Sequence, residues 1–345
     1  MRIIHFLKKN IFYSKGSTFV TLLMLLVLLW AVPKFIDWVF FSSIWSGTSA
    51  DCRQVSGACW AFINEKFNFI MVGFYPQDEI WRPGVSFIIY VVFMIYLSNY
   101  KKWSIRTPLY ALLTSAAIGT LLYGGVFGME FVDSKNWGGL ILTILLTTIG
   151  ITLAYPFGII LALGRRSKLP VIKTVSILYI ETIRGVPLIS LLFMSSVMLP
   201  FVLPPDWNLP KLPRVQLAII MFVAAYLAEV IRGGLQAIPK GQYEASISIG
   251  LSFWQSNFLI ILPQALKIVI PPTVSTFIGM FLDTTLVVIV SMFDLLGTTK
   301  LALTDSKWLG YANEAYLFLM VVFFIFCYTM ARYSTNLEKK LKVTR

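Results

Sequence analysis

Long apolar runs separated by short polar and charged segments dominate the sequence. A helix that crosses a bilayer needs about 20 such residues, and by this criterion the sequence predicts eight transmembrane helices. Their predicted ranges are about 17–40, 84–99, 108–128, 139–164, 170–200, 214–236, 263–291 and 314–335. The pattern therefore predicts an all-α polytopic membrane protein.

Composition and charge support this class. Hydrophobic residues make up 57% of the chain and charged residues 13%, with a mean hydropathy of +0.77, which is too apolar for a water-soluble domain of this length. The net charge of +13 is spread over short clusters between apolar runs and forms no basic stripe. We therefore expect membrane lipid as the main surroundings and no nucleic acid partner.

The positive charges also predict the orientation. With the N-terminus in the cytoplasm, most of the 29 Lys and Arg residues fall in cytoplasmic segments, as the positive-inside rule requires. Eight crossings then place both termini in the cytoplasm. The first apolar run continues to Phe41 with no small-residue cleavage site close behind it, which favours an uncleaved signal anchor over a signal peptide.

Two cysteines lie in the predicted outside loop at about residues 41–82. An oxidising periplasm permits a disulfide between Cys52 and Cys59 that closes a short loop, and the alternative is two unpaired thiols. Metal binding is disfavoured because the only histidine, His5, is predicted on the other side of the membrane. The chain divides near Asn136, with three predicted crossings in residues 1–138 and five in residues 139–345.

Charged residues inside predicted spans need an explanation, because they are costly in a membrane. Glu181 and Arg184 are three residues apart and can share a helix face and neutralise each other. Gly185 and Pro187 follow, and the proline bends or breaks the helix. The pair either lines a polar path at this bend or holds the bend as a structural ion pair. Glu229 and Arg232, near an inner span end, favour a structural role.

Asp283, Thr284 and Thr285 form a second polar group within a span. They follow the double proline Pro271-Pro272, and their depth depends on where the helix begins. An acidic group and two hydroxyls are typical of a polar path, whereas Asp283 could equally pair with a cation of another subunit.

The loop at about residues 236–263 is predicted to be cytoplasmic and to contain a short helix over 240–249. Glu244 lies in the first half of that helix, where the helix dipole favours negative charge, and Gly250 can adopt the left-handed conformation that closes it. With Tyr243 exposed, the helix would be suited to insert into a groove of a soluble partner. The alternative is an ordinary interfacial hairpin.

The residues of this loop resemble a known family motif. Glu244-Ala245-Ser246 with Gly250, followed by Ile261-Leu262-Pro263, are similar to the cytoplasmic "EAA" loop of permeases of ATP-binding-cassette (ABC) importers. Ser246 replaces the second alanine. The resemblance implies that Tyr243, Glu244, Ala245, Ser246 and Gly250 belong to a coupling helix that docks into an ATPase subunit.

Further motifs resemble the polar amino acid subfamily of these permeases. They are Arg184-Gly185-Val186-Pro187, Ala228-Glu229-Val230 and Asp283-Thr284-Thr285-Leu286. Val186 and Leu282 stand where the subfamily often has Thr and Lys. The segment WSGTSADCRQVSGACWAFINEKF resembles the N-terminal extension of one permease of general L-amino acid uptake systems in Gram-negative bacteria.

The resemblance implies a type I importer core of five helices over 139–345, preceded by a three-helix extension, in the bacterial inner membrane. It also implies a second homologous permease, two cytoplasmic ATPases, a periplasmic binding protein and an amino acid substrate. Since the sequence has no Gly-x-x-x-x-Gly-Lys-[Ser/Thr] loop, we expect no cofactor and no enzymatic activity in this chain, and ATP and Mg to be used by the partner ATPase.

A secondary transporter or channel driven by an ion gradient is the competing function. It would use Asp283 or Glu181 as an ion-coupling carboxylate. Inverted repeats would favour it, and the sequence shows none that is evident.

Overall fold

A computed structural model describes residues 11, 13–99, 102, 104, 106–204, 207 and 209–342 of the chain. Arg2, His5, Lys8 and Lys9, on which the predicted orientation and the argument against a metal site partly rest, lie outside the described residues. Within them the secondary structure is helical, apart from two isolated β-bridges. The predicted all-α class is therefore confirmed.

Thirteen principal helices are labelled here in chain order. The helices of the N-terminal part are α1 (Lys15–Ile36), α2 (Trp60–Val72), α3 (Trp81–Ser98) and α4 (Thr107–Tyr123). They are followed by α5 (Gly139–Arg165), α6 (Pro170–Gly185), α7 (Leu188–Phe193), α8 (Lys211–Ala237), α9 (Lys240–Ser248), α10 (Leu262–Ile268), α11 (Ile270–Asp283), α12 (Leu295–Ala302) and α13 (Ala312–Lys342).

Six helical segments of the described chain are long and apolar enough to cross a membrane. They are Lys15–Phe41, Gln77–Ser98, Gly139–Arg165, Lys211–Ala237, Ile270–Val290 and Ala312–Leu341. A seventh span would be the pair Pro170–Gly185 and Leu188–Val202, which is bent by 101°. The predicted third crossing corresponds to α4, whose 17 residues extend about 25 Å, close to the lower limit for a transmembrane helix.

The bend between α6 and α7 interrupts what the apolar run predicts as one span over 170–200. Val186 (φ −102°, ψ 132°) and Pro187 (φ −58°, ψ 140°) are both extended. Pro187 has no amide hydrogen to continue the helix, and a proline also disfavours helical conformation in the residue before it. The predicted bend is thus a complete break of the helix.

The structure divides into two compact units, and the first contains the described residues of Met1–Phe67 together with Leu303–Phe318. Helix α1 in this unit has no buried residue. The core lies around α2, where Phe62 packs against Trp308 and Tyr311. The side chain of Lys66 binds Asp305 at 2.6 Å, and this hydrogen bond lowers the pKa of the Asp305 carboxyl.

Cys52 and Cys59 are joined in a disulfide in the first unit, with their Cα atoms 5.6 Å apart. A one-turn helix ends at Cys52 and is capped by Thr48, whose backbone and hydroxyl bind the Asp51 carboxylate. Gly57 lies beside the bridge, and a Cβ atom there would approach the Ser42 carbonyl oxygen to 1.9 Å. The close approach of these two loop segments therefore requires glycine.

The second unit contains Asn68–Ala302 and Leu319–Arg345, and its core is formed by α5 packed along α8. Gly150 and Gly158 lie at the contact, where added Cβ atoms would come within 2.8 Å of Ile219 and 2.9 Å of Leu227. Together with the buried Ala154 they form a row of small residues at intervals of four positions, which lets two membrane helices approach closely. This contact fixes the position of α5 relative to α8.

The disulfide leads to a labelling prediction. With the protein denatured and no reductant, a maleimide should modify only Cys327, since the thiols of Cys52 and Cys59 are bonded to each other. After reduction it should modify all three cysteines, as counted by intact mass. Three modified thiols before reduction would show that the bridge is absent, and a Cys52→Ser, Cys59→Ser double variant provides the control with one thiol in both conditions.

Candidate functional site

The short helix α9 follows an extended pair, Ile238 and Pro239, which separates it from α8. At its other end Gly250 has φ +79°. The amide of Gly250 donates to the Ile247 carbonyl at 2.9 Å, and that of Leu251 to the Ser246 carbonyl at 3.1 Å. This is the Schellman arrangement for ending a helix at glycine. The predicted short helix and the predicted role of Gly250 are both confirmed.

One side of α9 is available to a partner. Glu244 and Ala245 are exposed, and Ile247 and Ile249 are each 70% exposed. An apolar pair beside a carboxylate on a rigid, capped helix is suited to a groove in another protein.

Tyr243, which the sequence predicts to be exposed, is in fact partly buried. Its hydroxyl donates to the Leu235 carbonyl at 2.8 Å and accepts a hydrogen bond from Arg166 Nη1 at 2.7 Å. The Arg166 guanidinium also lies over the Tyr243 ring, 5.1 Å from its centroid. The prediction was wrong because the sequence of α9 alone does not show that neighbouring helices supply partners for the hydroxyl.

Ser246 is the buried residue of α9, at 1% exposure. Its hydroxyl donates to the Tyr243 carbonyl at 2.7 Å and lies 2.6 Å from the Ser256 hydroxyl. The alanine of the family motif would leave the buried Ser256 hydroxyl without this partner. The substitution therefore joins α9 to the segment that follows it.

A cluster of five charged side chains lies near the C-terminal ends of α5, α6 and α8. Arg165 Nη1 is 2.7 Å from Glu181 and 2.8 Å from Glu229. Glu229 also binds Arg232 at 2.9 Å, and Arg184 approaches it to 3.7 Å. The predicted direct pair between Glu181 and Arg184 is not formed, because Arg165 and Glu229 on neighbouring helices bind them instead.

Glu229 is the centre of this cluster. Its side chain is 15% exposed, whereas that of Glu181 is 55% exposed, and three arginines converge on it. Three guanidinium groups and two carboxylates leave one positive charge in excess. Arg184, which has the longest of these contacts, also lies over the ring of Tyr226 at 5.4 Å, a cation–π arrangement. Glu229 and Arg232, to which the sequence assigns a structural role, therefore belong to the same cluster as Glu181 and Arg184, for which the sequence leaves a polar path or a structural ion pair open.

Asp283 ends α11 and is partly exposed. Its carboxylate has no hydrogen bond or ion pair to any residue within the described ranges. Thr284 is fully buried, with its hydroxyl donating to the Phe281 carbonyl at 2.8 Å, whereas Thr285 is partly exposed. The three predicted residues therefore differ in exposure. Asp283 and Thr285 are accessible, whereas Thr284 packs inside the protein.

The two groups of candidate residues lie on elements that contact each other. Helix α7, just after the bend, packs against the 3₁₀ segment Thr284–Val290 that follows Asp283. No ion pair or hydrogen bond among the described residues joins the charged cluster to Asp283. The structure therefore connects the groups by helix packing and not by direct polar contact.

Arg165 and Arg166 are site residues that sequence reasoning missed. Both were counted only as positive charges that set the orientation. The signal for a further role lies in their position, because the side chains of two adjacent residues at the end of a helix point in different directions and can reach different neighbours.

Similarity to known proteins indicates the family of this chain. The family model described as binding-protein-dependent transport system inner membrane component matches residues 154–343. The chain is 42% identical over 348 residues to the inner membrane amino-acid ABC transporter permease protein YhdY of Escherichia coli (strain K12), covering 98% of this chain and 93% of that protein.

A second relative is the glutamate/glutamine/aspartate/asparagine transport system permease protein BztC of Rhodobacter capsulatus. It is 36% identical over 407 residues, which cover 98% of this chain and 94% of that protein. Among solved structures, an amino acid ABC transporter crystallised with histidines is similar with a TM-score of 0.52 and 29% identity, covering 59% of this chain and 92% of that one.

The charged cluster leads to a stability prediction. Glu229→Gln should lower the free energy of unfolding by on the order of 3 kcal/mol, because three arginines lose the mostly buried carboxylate that they share. Glu181→Gln is the matched control and should cost less than about 1 kcal/mol, since Glu181 is more exposed and binds one arginine. Denaturant titration in detergent micelles measures both. Equal losses for the two variants would contradict the central position of Glu229.

Proposed function

Because the chain belongs to the family of binding-protein-dependent transport system inner membrane components, we propose that it is the permease subunit of an ATP-driven amino acid importer and that α9 couples it to an ATPase. Its relatives are permease components of amino acid ABC transporters. It is a multi-span membrane protein, and a bacterial inner membrane is the expected location. No observation favours a transporter driven by an ion gradient.

The observation that carries the proposal is the exposed, capped helix α9. In ABC transporters ATP is hydrolysed by separate ATPase subunits, so a permease needs a rigid element at which they dock. Glu244, Ala245, Ile247 and Ile249 provide the docking surface, and the Schellman end at Gly250 keeps the helix short and rigid. ATP and Mg then act in the partner ATPase.

The complete transporter would contain further subunits. Importers of this family work with ATPase and substrate-binding partners; the proposed stoichiometry is this chain with a second homologous permease, two ATPases and a periplasmic amino acid-binding protein. Both termini would lie in the cytoplasm, on the same side as α9. Residues 139–345 would form the core and residues 1–138 the extension, which is supported by the family model that matches residues 154–343.

The translocation path would pass Glu181, Arg184, Asp283 and Thr285. An amino acid carries both a carboxylate and an ammonium group, and a path through the membrane must offer partners to both. Arg184 is only loosely held by Glu229, at 3.7 Å, and Asp283 is partly exposed, so each has capacity for a ligand. Thr284, being buried, would shape the wall of the path and not its lining.

The docking surface of α9 can be tested by charge reversal. Glu244→Lys should lower amino acid-stimulated ATP hydrolysis of the complete transporter at least about tenfold, because reversing an interfacial charge costs several kcal/mol. Gly250→Asp should act in the same direction by straining the left-handed position. The readouts are ATPase activity and uptake in proteoliposomes.

Lys168→Glu is the control for α9, since it changes an exposed cytoplasmic charge outside the helix. Unchanged stimulation in an assembled Glu244→Lys transporter would disprove the coupling assignment.

The proposed translocation path can be tested at the carboxylate of Asp283, which has no polar partner within the described residues. Asp283→Asn should reduce amino acid uptake at least about tenfold, as expected when a charged contact worth 1.5–3 kcal/mol is lost, while the transporter still assembles. Thr284→Val is the matched control and should transport normally, because its hydroxyl binds only its own helix. If Asp283→Asn prevents assembly, the carboxylate instead pairs with another subunit.

A further inference from the structure

Three consecutive residues at the inner end of α5 contact different elements. Gly164 faces α6 so closely that a Cβ atom would lie 2.3 Å from the Ser176 hydroxyl. Arg165 binds Glu181 of α6 and Glu229 of α8. Arg166 binds Tyr243 of α9. The end of α5 therefore joins the proposed docking helix to the charged cluster through one short piece of backbone.

The contact between Arg166 and Tyr243 is specific. The tyrosine hydroxyl accepts from Arg166 at 2.7 Å while it donates to the Leu235 carbonyl at 2.8 Å, and the guanidinium covers the ring. A hydroxyl that donates in one direction and accepts in the other fixes the position of both neighbours. A displacement of α9 that keeps these bonds must move Arg166 with it.

Arg165 and Arg166 are joined through the backbone at the end of α5, so a displacement of the Arg166 backbone reaches Arg165. Arg165 is the last residue of α5 and Arg166 is its C-cap, with the Arg166 amide bonded to the Leu163 carbonyl at 3.1 Å. Glu181, which Arg165 binds, lies one helical turn before Gly185 at the α6–α7 bend. A shift of the Arg165 guanidinium therefore acts on the last turn before the break.

The cluster can exchange partners at low cost. Glu229 has contacts with Arg165, Arg232 and Arg184, and the Arg184 contact, at 3.7 Å, is the loosest. If Arg165 withdraws, Arg184 can approach Glu229 and keep its carboxylate paired. Two arrangements with similar pairing are what a two-state element requires.

We infer that Gly164, Arg165 and Arg166 relay the movement of α9 to the bend between α6 and α7, with Arg166–Tyr243 as the input contact and Arg165 as the output. This rests on the proposed function, in which an ATPase moves α9. Arg165, Arg166 and Tyr243 act as positioning residues, since they need no contact with the transported amino acid or with ATP.

The test measures coupling in the complete transporter, reconstituted in proteoliposomes with its ATPase and binding protein. Tyr243→Phe removes one oxygen atom and keeps the ring, and Arg166→Ala removes the cation. Each should raise the number of ATP molecules hydrolysed per amino acid transported by about 2- to 30-fold, the range for residues that transmit coupling. The double variant should be no worse than the stronger single variant, because both remove the same contact.

Two controls separate coupling from general damage. Lys168→Ala removes an exposed cation two residues after Arg166. Tyr333→Phe removes another tyrosine hydroxyl that donates to a carbonyl, that of Leu97 at 3.0 Å. Both variants should hydrolyse the same number of ATP molecules per amino acid transported as the unmodified transporter. If the transporter with Arg166→Ala does not assemble, the test of the relay rests on Tyr243→Phe, because this variant changes the packing least.

The outcomes distinguish the relay from the proposed function. A raised ratio in Tyr243→Phe with normal controls supports the relay. If the unmodified transporter couples ATP hydrolysis to uptake and Tyr243→Phe keeps its ratio, or if the two single effects add fully, the relay is overturned and the proposed function stands. If the unmodified chain gives no ATP-dependent uptake with these partners, the proposed function fails and the relay fails with it.

Discussion

The shared carboxylate of Glu229 is the interaction on which the arrangement of the C-terminal ends of α5, α6 and α8 depends. Placing arginines among membrane helices is costly unless each finds an opposite charge, and here Glu229 serves Arg165, Arg184 and Arg232 at once. The small-residue contact between α5 and α8 makes this possible, because it brings the α5 end close enough to reach Glu229. The packing of α5 on α8 and the charge pairing at the ends of these helices are therefore parts of one arrangement.

The fold class, the short helix α9 and its end at Gly250 could be predicted from the sequence, because apolar length and glycine chemistry act locally. The partners of the charged residues could not. Spacing along one helix suggests that Glu181 and Arg184 pair, but the partner each side chain reaches depends on the helices beside it, and these are set by the packing of α5 on α8. Tyr243 was misjudged for the same reason, since its partners are Arg166, from the end of α5, and Leu235 on α8.

The sharpness of the bend also exceeds what the sequence indicates. Gly185 and Pro187 predict a bend, but the 101° angle follows from two consecutive extended residues, Val186 and Pro187. A single proline within a helix would leave most of the apolar run continuous. The sequence therefore predicts where the helix is interrupted but not how large the angle between the two helices is.

The 3₁₀ segment Thr284–Val290 has a geometric consequence of its own. With three residues per turn, Thr284, Val287 and Val290 stand in one column, and all three are buried. In an α-helix of the same residues Val290 would be rotated by about 120° from that column, and the segment would be about 3 Å shorter. A change from the 3₁₀ form to the α-helical form would thus rotate Val290 about the helix axis and shorten the segment directly after Asp283 at the same time.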